Sequence, residues 1–584
     1  MDKSYTWAIE DIYNDTTVWE NDFEKVKNSL DFSCYRGTLD NVDSFLSCMK
    51  KQEKVYRIFD KLGLYAMMCH DIDTRNSTFD ALYSRINSLS VLFNSNTAFI
   101  TPELISLPEE ILKSYIDNPK LKDYDYLLKC ILKEKAYILS EKEESLLSKS
   151  EESMLSFRDI FTKTDNADLP LTFFKYNGKK YELTHGTYSI YLQSNDVLLR
   201  RKAFKEYYKA YISLINIISA TYVGNVKKDV FYAKARGFSS CLEQALLGED
   251  VPVVVYEKLI SMVNGALPIM HEYVKARKKV LGLKAMHMYD MYVPLVANRD
   301  LKLDYEEAYS LVINGLSVLG DEYVELLKKA KNERWIDVYE SKGKRNGAYS
   351  AAVYDTHPYV LLNYQKTTHD VFTIAHEMGH SIHSYFSNKS QPYNKADYKI
   401  FVAEVASTVN EVLLLRYLLG ITKDKDMKCY LLSYLMEMIR TTLFRQTMFS
   451  EFEEFAHNRV FNGDPLTRDD MCEKYLELNK KYYGNSVVSD DEIKYEWARI
   501  PHFYRAFYVY KYSTGIISAL AITDRILGEG KNAVNDYFKF LSSGNSNDPV
   551  SLLKIAGVDL TTDMPYKSAF KTFENALTEF KNLI

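Results

Sequence analysis

The chain has 584 residues, of which 46% are hydrophobic and 26% charged, so it can bury a large core and is not a disordered chain. Its net charge of −5, without a basic block, argues against nucleic-acid partners and against a membrane-surface role. No segment has the ~18 apolar residues of a membrane span, and residues 1–7 do not resemble a secretory signal. Seven scattered cysteines without a C-x-x-C pair are typical of reduced thiols, and they predict a cytoplasmic protein.

Helical periodicity dominates the first part of the chain. Residues 53–68 and 128–161 alternate apolar and charged positions at helical spacing, and both are predicted helices. Asn177-Gly178 separates two β-prone runs, which predicts a hairpin within residues 171–184. Helices resume at a capping stretch near residues 194–196 and continue through residue 223. We therefore expect a mainly α fold in two lobes, divided into a helical region 1–195 and a catalytic domain 196–584.

A second interruption of the helical pattern covers residues 343–364. β-branched and aromatic residues replace the helical period there, which predicts a small β-sheet with an edge strand. An extended peptide could add to such an edge through its main chain, which fixes register without demanding particular side chains. The chain therefore has a candidate peptide-binding strand just before its most informative motif.

That motif is His376-Glu377-Met378-Gly379-His380, which reads H-E-x-x-H within a predicted helix over residues 371–386. Positions i and i+4 of a helix lie on one face, so His376 and His380 can direct both imidazoles at one metal ion. Glu377 then lies beside the open coordination position, where it can take a proton from a zinc-bound water and pass it to the leaving amine. The spacing predicts a hydrolytic zinc site.

A catalytic zinc site needs a third protein ligand, and Glu404 is the best candidate. Ser, Asn and Pro residues within 384–394 are expected to end the motif helix and reverse the chain. A second helix is predicted over residues 397–419, with Gly420 as its stop. Antiparallel helices would return Glu404 to the histidines. Glu411, seven residues later on the same face, could accept a hydrogen bond from a liganding His; the alternative is a plain surface glutamate.

These residues resemble the thimet-oligopeptidase-like zinc metallopeptidases, in particular their bacterial oligoendopeptidase F branch. The family signature H-E-x-G-H-x-x-H is complete here and ends at His383, which we place at the rim or behind the ligands because i+3 from His380 is not ideal for a ligand. The segment 401–407 followed by Glu411 is similar to the family's third-ligand segment, which implies that Glu404 is a ligand. Further similar stretches are Gly347-Ala348-Tyr349 with residues 357–364, which resemble substrate-side strands, residues 287–294, and the N-terminal segment 7–22.

Downstream, His502 with the tyrosines that follow it resembles the family's cluster facing the metal across the cleft. By this resemblance we carry over His502, Tyr508 and Tyr510. A phenol and an imidazole N–H can both donate hydrogen bonds to the oxyanion of a tetrahedral intermediate. The family spacing between this His and its tyrosines varies, and most of the 47 tyrosines here must be packing or surface residues.

The resemblance implies a clamshell with a deep central channel that admits short unstructured peptides. The predicted activity is zinc-dependent endopeptidase cleavage of oligopeptides in intracellular peptide turnover, with one Zn²⁺ per chain held by His376, His380 and Glu404. Such a ligand set also accepts cobalt or manganese. We expect a monomer or small homo-oligomer. Two alternatives remain: an endopeptidase acting on intact proteins, and a silent peptide-binding protein, against which the presence of Glu377 argues.

Overall fold

Helices make up most of the structure, a computed structural model that describes residues 2–296 and 301–584. The α-helices, in chain order, are α1 (Thr16–Lys27), α2 (Val42–Ile72), α3 (Ser77–Thr97), α4 (Ile100–Ser106), α5 (Glu109–Ile116), α6 (Asp125–Lys135), α7 (Glu141–Lys163), α8 (His185–Leu192), α9 (Val197–Ser213), α10 (Ile215–Ala235), α11 (Cys241–Glu249), α12 (Val253–Gly265), α13 (Leu267–Val280), α14 (Tyr305–Leu316), α15 (Asp321–Asn332), α16 (Thr368–Ser390), α17 (Tyr393–Ala396), α18 (Ile400–Ile421), α19 (Lys425–Ile439), α20 (Arg445–Phe461), α21 (Arg468–Tyr483), α22 (Tyr510–Glu529), α23 (Lys531–Leu541), α24 (Pro549–Ile555) and α25 (Met564–Leu583). The expected mainly α fold with only small sheets is confirmed.

Five short strands form two small sheets in the described residues. The strands are β1 (Phe173–Tyr176), β2 (Lys179–Glu182), β3 (Ile336–Asp337), β4 (Tyr349–Ala351) and β5 (Tyr359–Leu361). β1 and β2 form an antiparallel hairpin, in which Asn177 and Gly178 both have positive φ, as a two-residue turn requires. The second sheet has the order β3-β5-β4, with β5 parallel to β3 and antiparallel to β4. β4 is therefore an edge strand.

The chain divides into two compact units, each assembled from three stretches. The first unit contains Met1–Ala136, Asp300–Gly420 and Ser518–Asp559, and the second contains Tyr137–Arg299, Ile421–Ile517 and Leu560–Ile584. Each unit is a set of residues whose backbone contacts are mostly with one another. The division expected from the sequence, at residues 195 and 196, remains a prediction.

A core of aromatic and aliphatic side chains holds each unit together. In the first unit the Trp19 indole is fully buried and donates a hydrogen bond to the Leu62 carbonyl at 3.2 Å, which ties α1 to α2. Strand β5 packs into the same core through Tyr359 and Leu361. In the second unit Tyr222 of α10 stacks on Phe452 of α20 at 6.1 Å between ring centres. Burial of such rings is the main stabilising contribution to both units.

Several helix boundaries differ from those predicted. The predicted helix 128–161 is two helices, because Ser140 forms a capping box with Glu143 and begins α7 anew. The motif helix runs from Thr368 to Ser390, which extends the predicted helix 371–386 at both ends but still ends within the segment 384–394, and Pro392 follows its end. The next helix begins at Ile400 and passes through Gly420 to Ile421, so Gly420 is not its stop. Polar composition alone did not locate these ends.

No single helix of residues 2–296 and 301–584 is long and apolar enough to cross a membrane. Helices α12 and α13 taken together have the length and apolar composition of a membrane-spanning segment, but the pair is bent by 48°.

Candidate metal centre

Helix α16 carries the H-E-x-x-H motif in the first unit, and its start is well specified. The Thr367 hydroxyl caps the backbone N–H of Asp370, and the Asp370 carboxylate accepts from the Thr367 N–H at 2.8 Å. This capping box satisfies amide groups that the first turn would otherwise leave unpaired. The helix then runs without a break through the motif, so its residues keep helical spacing.

His376 and His380 lie one turn apart on α16, as predicted. Their ring centres are 4.8 Å apart, and the two Nε2 atoms are separated by 3.2 Å. Oε2 of Glu404, from α18, lies 3.4 Å from each of these nitrogens. The structure therefore brings together the three predicted ligands, and among the described residues they form one group of side chains able to hold a metal ion.

The three donor atoms have the spacing that tetrahedral zinc requires. With zinc–ligand distances of about 2.0–2.1 Å, the edges of a regular tetrahedron are about 3.3–3.4 Å long. The observed separations of 3.2, 3.4 and 3.4 Å are close to one face of that tetrahedron. Two imidazoles and one carboxylate are also the donor set of catalytic zinc sites that keep the fourth position open. The residues present thus fit the metal.

A close approach of α16 to α18 places Glu404 at this position. A Cβ atom added to Gly379 would lie 2.6 Å from the Ser407 Cα and 2.7 Å from the Ala406 carbonyl oxygen. Only glycine allows backbones to pass at this distance. The Asn410 amide, one helical turn further along α18, donates to the Ala375 carbonyl at 2.9 Å and fixes the register of the two helices.

Glu411 lies behind the ligands, where it sets the tautomer of His376. Its Oε1 is 2.6 Å from Nδ1 of His376. Nδ1 therefore carries a proton and donates to Glu411, so that Nε2 is the nitrogen available to a metal ion. The Ser407 hydroxyl shares its proton between the Glu404 backbone carbonyl at 2.9 Å and the Glu404 carboxylate at 3.2 Å, so it lies against this ligand.

The electrostatics of the site favour a cation. Burial alone would lower the pKa of His376, but hydrogen bonds with Glu404 and Glu411 raise it to about 10. Burial opposes ionisation of Glu404, yet hydrogen bonds from His376 and His380 hold the pKa of that carboxyl well below its usual range. The surrounding carboxylates thus draw positive charge to the point that a metal ion would share with these ligands.

Glu377 is 7% exposed and lies next to the ligands in sequence. Burial raises the pKa of Glu377, the two histidines oppose the rise, and the neighbouring carboxylates of Glu404 and Glu411 add to it. A carboxylate with a raised pKa accepts a proton more readily than an exposed one, which is what a general base must do.

His383 lies in the interior rather than at a rim. Its ring is 1% exposed and stacks on Tyr398 at 3.9 Å and 6° between planes. Burial, followed by the charge of His380, lowers the pKa of His383 to about 3, so the ring is neutral. It therefore supports α16 from behind through packing.

The predicted substrate-side segment forms the edge strand β4 and its approach. The Gly347 carbonyl accepts from the Asn363 amide at 2.8 Å, and the Tyr349 hydroxyl donates to Asp71 at 2.9 Å. Ser350 and Ser381 hydroxyls lie 2.8 Å apart, which connects β4 to the motif helix. Ala348 lies between these anchored neighbours. Asp71, 2% exposed, was missed from sequence because nothing in its surroundings indicates a role.

A cavity of about 580 Å³ opens beside β4 within the first unit, and a second of about 930 Å³ adjoins it where the chain leaves the strand. Ala352, Val353 and Asp60 line both cavities. The smaller one also reaches Ser350 of β4 and Ala403, the residue before Glu404. These cavities give space for side chains next to the strand edge.

The second unit contains the predicted His502 cluster. His502 lies in a short helical turn, Pro501–Tyr504, and its Nε2 is 3.3 Å from the Tyr512 hydroxyl. The Tyr508 ring is 6.0 Å from His502 and 5.5 Å from Tyr512, centre to centre. Burial, then the charges of Arg445 and Arg505, lower the pKa of His502, so its imidazole is neutral.

Tyr510 does not join this cluster. It is fully buried and packs edge-on against Tyr256 at 5.4 Å. Tyr512, which the resemblance did not single out, lies beside His502 instead. Tyr508 precedes α22 and Tyr512 lies in its first turn, so helical spacing does not group the two tyrosines and the sequence holds no signal for this arrangement.

Comparisons with known proteins match nearly the whole chain to peptidases of one family. A model of peptidase family M3 matches residues 190–572, and a model named oligopeptidase F matches residues 103–170. Oligopeptidase PepF of Bacillus subtilis is 42% identical over 99% of this chain and 87% of its own length. The crystal structure of a putative peptidase from Chlamydophila abortus is 36% identical with a TM-score of 0.95, covering 100% of this chain and 99% of that one. Oligoendopeptidase F from Enterococcus faecium is 34% identical with a TM-score of 0.74, covering 97% and 98%.

Proposed function

This chain belongs to peptidase family M3, in its oligoendopeptidase F branch, and is a metalloendopeptidase; from this premise we propose that it uses zinc to cut internal bonds of short unstructured peptides. The observation that carries the zinc assignment is the tetrahedral spacing of His376, His380 and Glu404. We place the activity in the turnover of peptides in the cytoplasm.

The proposed division of labour follows from the donor set. His376, His380 and Glu404 would hold the ion. When bound, zinc supplies a Lewis acid that polarises the scissile carbonyl and lowers the pKa of a coordinated water towards ~7. Glu411 keeps His376 in the tautomer that presents Nε2, and it does so through the hydrogen bond at Nδ1.

Glu377 is the proposed general base. It would take a proton from the attacking water and deliver it to the leaving nitrogen as the peptide bond breaks. Its burial supports this role, because burial raises the pKa of the carboxylate and so makes it a better proton acceptor than an exposed glutamate.

Substrate binding is proposed along β4. An edge strand has unpaired main-chain groups, and an unstructured peptide can pair with them without first losing structure of its own, whereas a folded protein cannot. The two cavities at β4 support side-chain binding beside that pairing. This arrangement favours oligopeptides over intact proteins as substrates, and broad sequence tolerance is expected.

His502 and Tyr508 are the proposed donors to the oxyanion. Both can offer a proton without carrying charge, and their neighbourhood in the second unit supports a shared role. We add Tyr512 to this set because its hydroxyl lies within reach of His502. Tyr510, which is fully buried at the start of α22 and packs against Tyr256, is not included among these donors.

Cleavage of an internally quenched peptide of about ten residues tests the proposed function as a whole. Activity is measured with the purified chain, after chelation, and after zinc is restored, and mass spectrometry locates the cut. We expect internal cuts that stop with the chelator and return with zinc, and no cleavage of folded protein substrates. Absence of cleavage by folded, zinc-loaded protein would favour a peptide-binding role, and efficient digestion of casein would overturn the oligopeptide assignment.

Glu404→Ala is expected to abolish stoichiometric metal binding, because the metal ion loses one of its three protein ligands and the negative charge that neutralises it. Zinc per chain is measured by elemental analysis after dialysis and should fall below about one tenth of the wild-type value. Glu322→Ala, which changes an exposed glutamate of α15, is the matched control and should keep one zinc per chain. Full zinc content in Glu404→Ala would move the third ligand elsewhere.

Tyr508→Phe is expected to lower kcat by about 10²-fold with little change in KM, the behaviour of a donor that acts in the transition state. Steady-state kinetics on the quenched peptide measure both constants. Tyr83→Phe, at an exposed tyrosine of α3, controls for the loss of a hydroxyl as such. An unchanged kcat would remove Tyr508 from the oxyanion site.

A further inference from the structure

The loop between His502 and Tyr508 contains a backbone conformation that needs outside support. Phe507 has a φ of +52°, in the left-handed region. For an L-residue with a bulky side chain this region is unfavourable, and it persists only where surrounding structure holds it. A group of the second unit must therefore hold it.

Glu453 of α20 is that group. Its side chain is fully buried, and its Oε1 accepts a hydrogen bond from the Phe507 N–H at 3.1 Å. Oε2 has no hydrogen-bond partner within the residues that the structure describes. Burial raises the pKa of Glu453 well above its usual range, and the hydrogen bond from the Phe507 N–H shows that its carboxyl acts here as an acceptor. Packing alone would favour an apolar side chain at this buried position, so the hydrogen bond to the Phe507 N–H is what the carboxyl contributes.

The Phe507 side chain also holds this residue in place, because its ring is packed in the interior. It is 2% exposed, and its ring lies 4.8 Å from that of His457 and 5.8 Å from that of Tyr256. With Phe507 directed inwards, the next residue, Tyr508, is directed outwards to His502 and Tyr512. The left-handed turn at Phe507 thus sets where the Tyr508 ring lies.

We propose that Glu453 is a positioning residue that holds the Phe507 peptide in its left-handed conformation and thereby places Tyr508 beside His502 for catalysis. Glu453 touches neither substrate nor metal ligands in this assignment. The functional part of the proposal rests on the proposed role of Tyr508 at the oxyanion.

Three substitutions distinguish the effect of the Glu453 hydrogen-bond acceptor from the effect of its side-chain volume. Glu453→Gln keeps a neutral acceptor of the same length and is expected to retain kcat within about threefold. Glu453→Leu removes the acceptor and is expected to lower kcat about tenfold or more, with KM and zinc content unchanged. Glu454→Leu, at the partly exposed neighbour on α20, is the matched control and should retain activity. Should Glu453→Leu fail to fold, Glu453→Asp, whose carboxyl is one methylene short of the Phe507 N–H, replaces it.

A double-variant cycle with Tyr508→Phe tests whether Glu453 acts through Tyr508. If it does, Glu453→Leu combined with Tyr508→Phe has about the same kcat as Tyr508→Phe alone, whereas independent effects multiply. Full, multiplied losses would overturn the proposal, as would a loss in Glu453→Gln equal to that in Glu453→Leu.

A spectroscopic measurement keeps this proposal separate from the proposed function. 3-Fluorotyrosine placed at position 508 of the full zinc-loaded chain should give one narrow ¹⁹F resonance in the wild type and in Glu453→Gln. In Glu453→Leu the resonance should broaden or split, because the loop samples other conformations. An unchanged resonance overturns the positioning role. If Tyr508→Phe leaves kcat intact while the resonance responds to Glu453→Leu, the oxyanion role fails and the positioning role stands.

Discussion

Glu377→Gln is expected to lower kcat by about 10²- to 10⁴-fold while the protein keeps its fold and its metal. The amide has nearly the shape of the carboxylate, so packing at this 7% exposed position is preserved. It cannot accept a proton, and the attacking water then has no base beside it. The ligands His376, His380 and Glu404 are unchanged, so the metal should stay bound.

The measurement combines steady-state kinetics on the quenched peptide, zinc analysis and thermal unfolding. Glu325→Gln, at an exposed glutamate of α15 whose partner Lys328 forms a surface ion pair, makes the same chemical change outside the site and should be neutral. Turnover by Glu377→Gln at a tenth or more of wild type would refute its assignment as general base. Loss of zinc together with activity would show instead that Glu377 helps to hold the site.

The parts of the fold that the sequence could predict are those set by local periodicity. The motif helix, the helix carrying Glu404 and the Asn177-Gly178 turn all follow from spacing or turn chemistry. The ends of the helices could not be predicted in this way. A single N-cap such as Ser140 starts a new helix at a point where the apolar spacing continues without a break. Polar residues beyond the predicted end at residue 386 also remained helical, since the helix there contacts neighbours distant in sequence, for example through the hydrogen bond from the Asn388 amide to the Val353 carbonyl.

Within the site, helical spacing could predict which residues share a face but not what lies behind them. Glu411 was expected at a liganding His, and the structure places it at His376. Tyr510 was carried over from the resemblance, and it lies buried because Phe507 turns the backbone to a positive φ just before α22 begins. No residue type in that segment indicates such a turn, since glycine or asparagine would be expected at a left-handed position.

Gly379→Ala is expected to cause the largest structural loss of any single methyl group added near the site. The new Cβ would lie 2.6 Å from the Ser407 Cα and 2.7 Å from the Ala406 carbonyl oxygen, both backbone atoms that cannot rotate away. Helices α16 and α18 must then separate, at a cost of about 1–3 kcal/mol of stability. Because Glu404 is on α18 and both histidines are on α16, separation also opens the ligand triangle, and zinc affinity should fall more than about tenfold.

Thermal unfolding of the metal-free protein measures the packing loss, and competition with a chelating dye measures zinc affinity. Gly420→Ala is the matched control, because a Cβ at this glycine of α18 meets no atom within 4 Å. Alanine is favoured over glycine in a helix, so the control should be neutral or slightly stabilising. If Gly379→Ala kept wild-type stability and zinc affinity, the close approach of α16 and α18 would not be what sets the position of Glu404. The glycine of H-E-x-G-H is thus expected to matter through the distance between two helices, which no pattern within one helix could disclose.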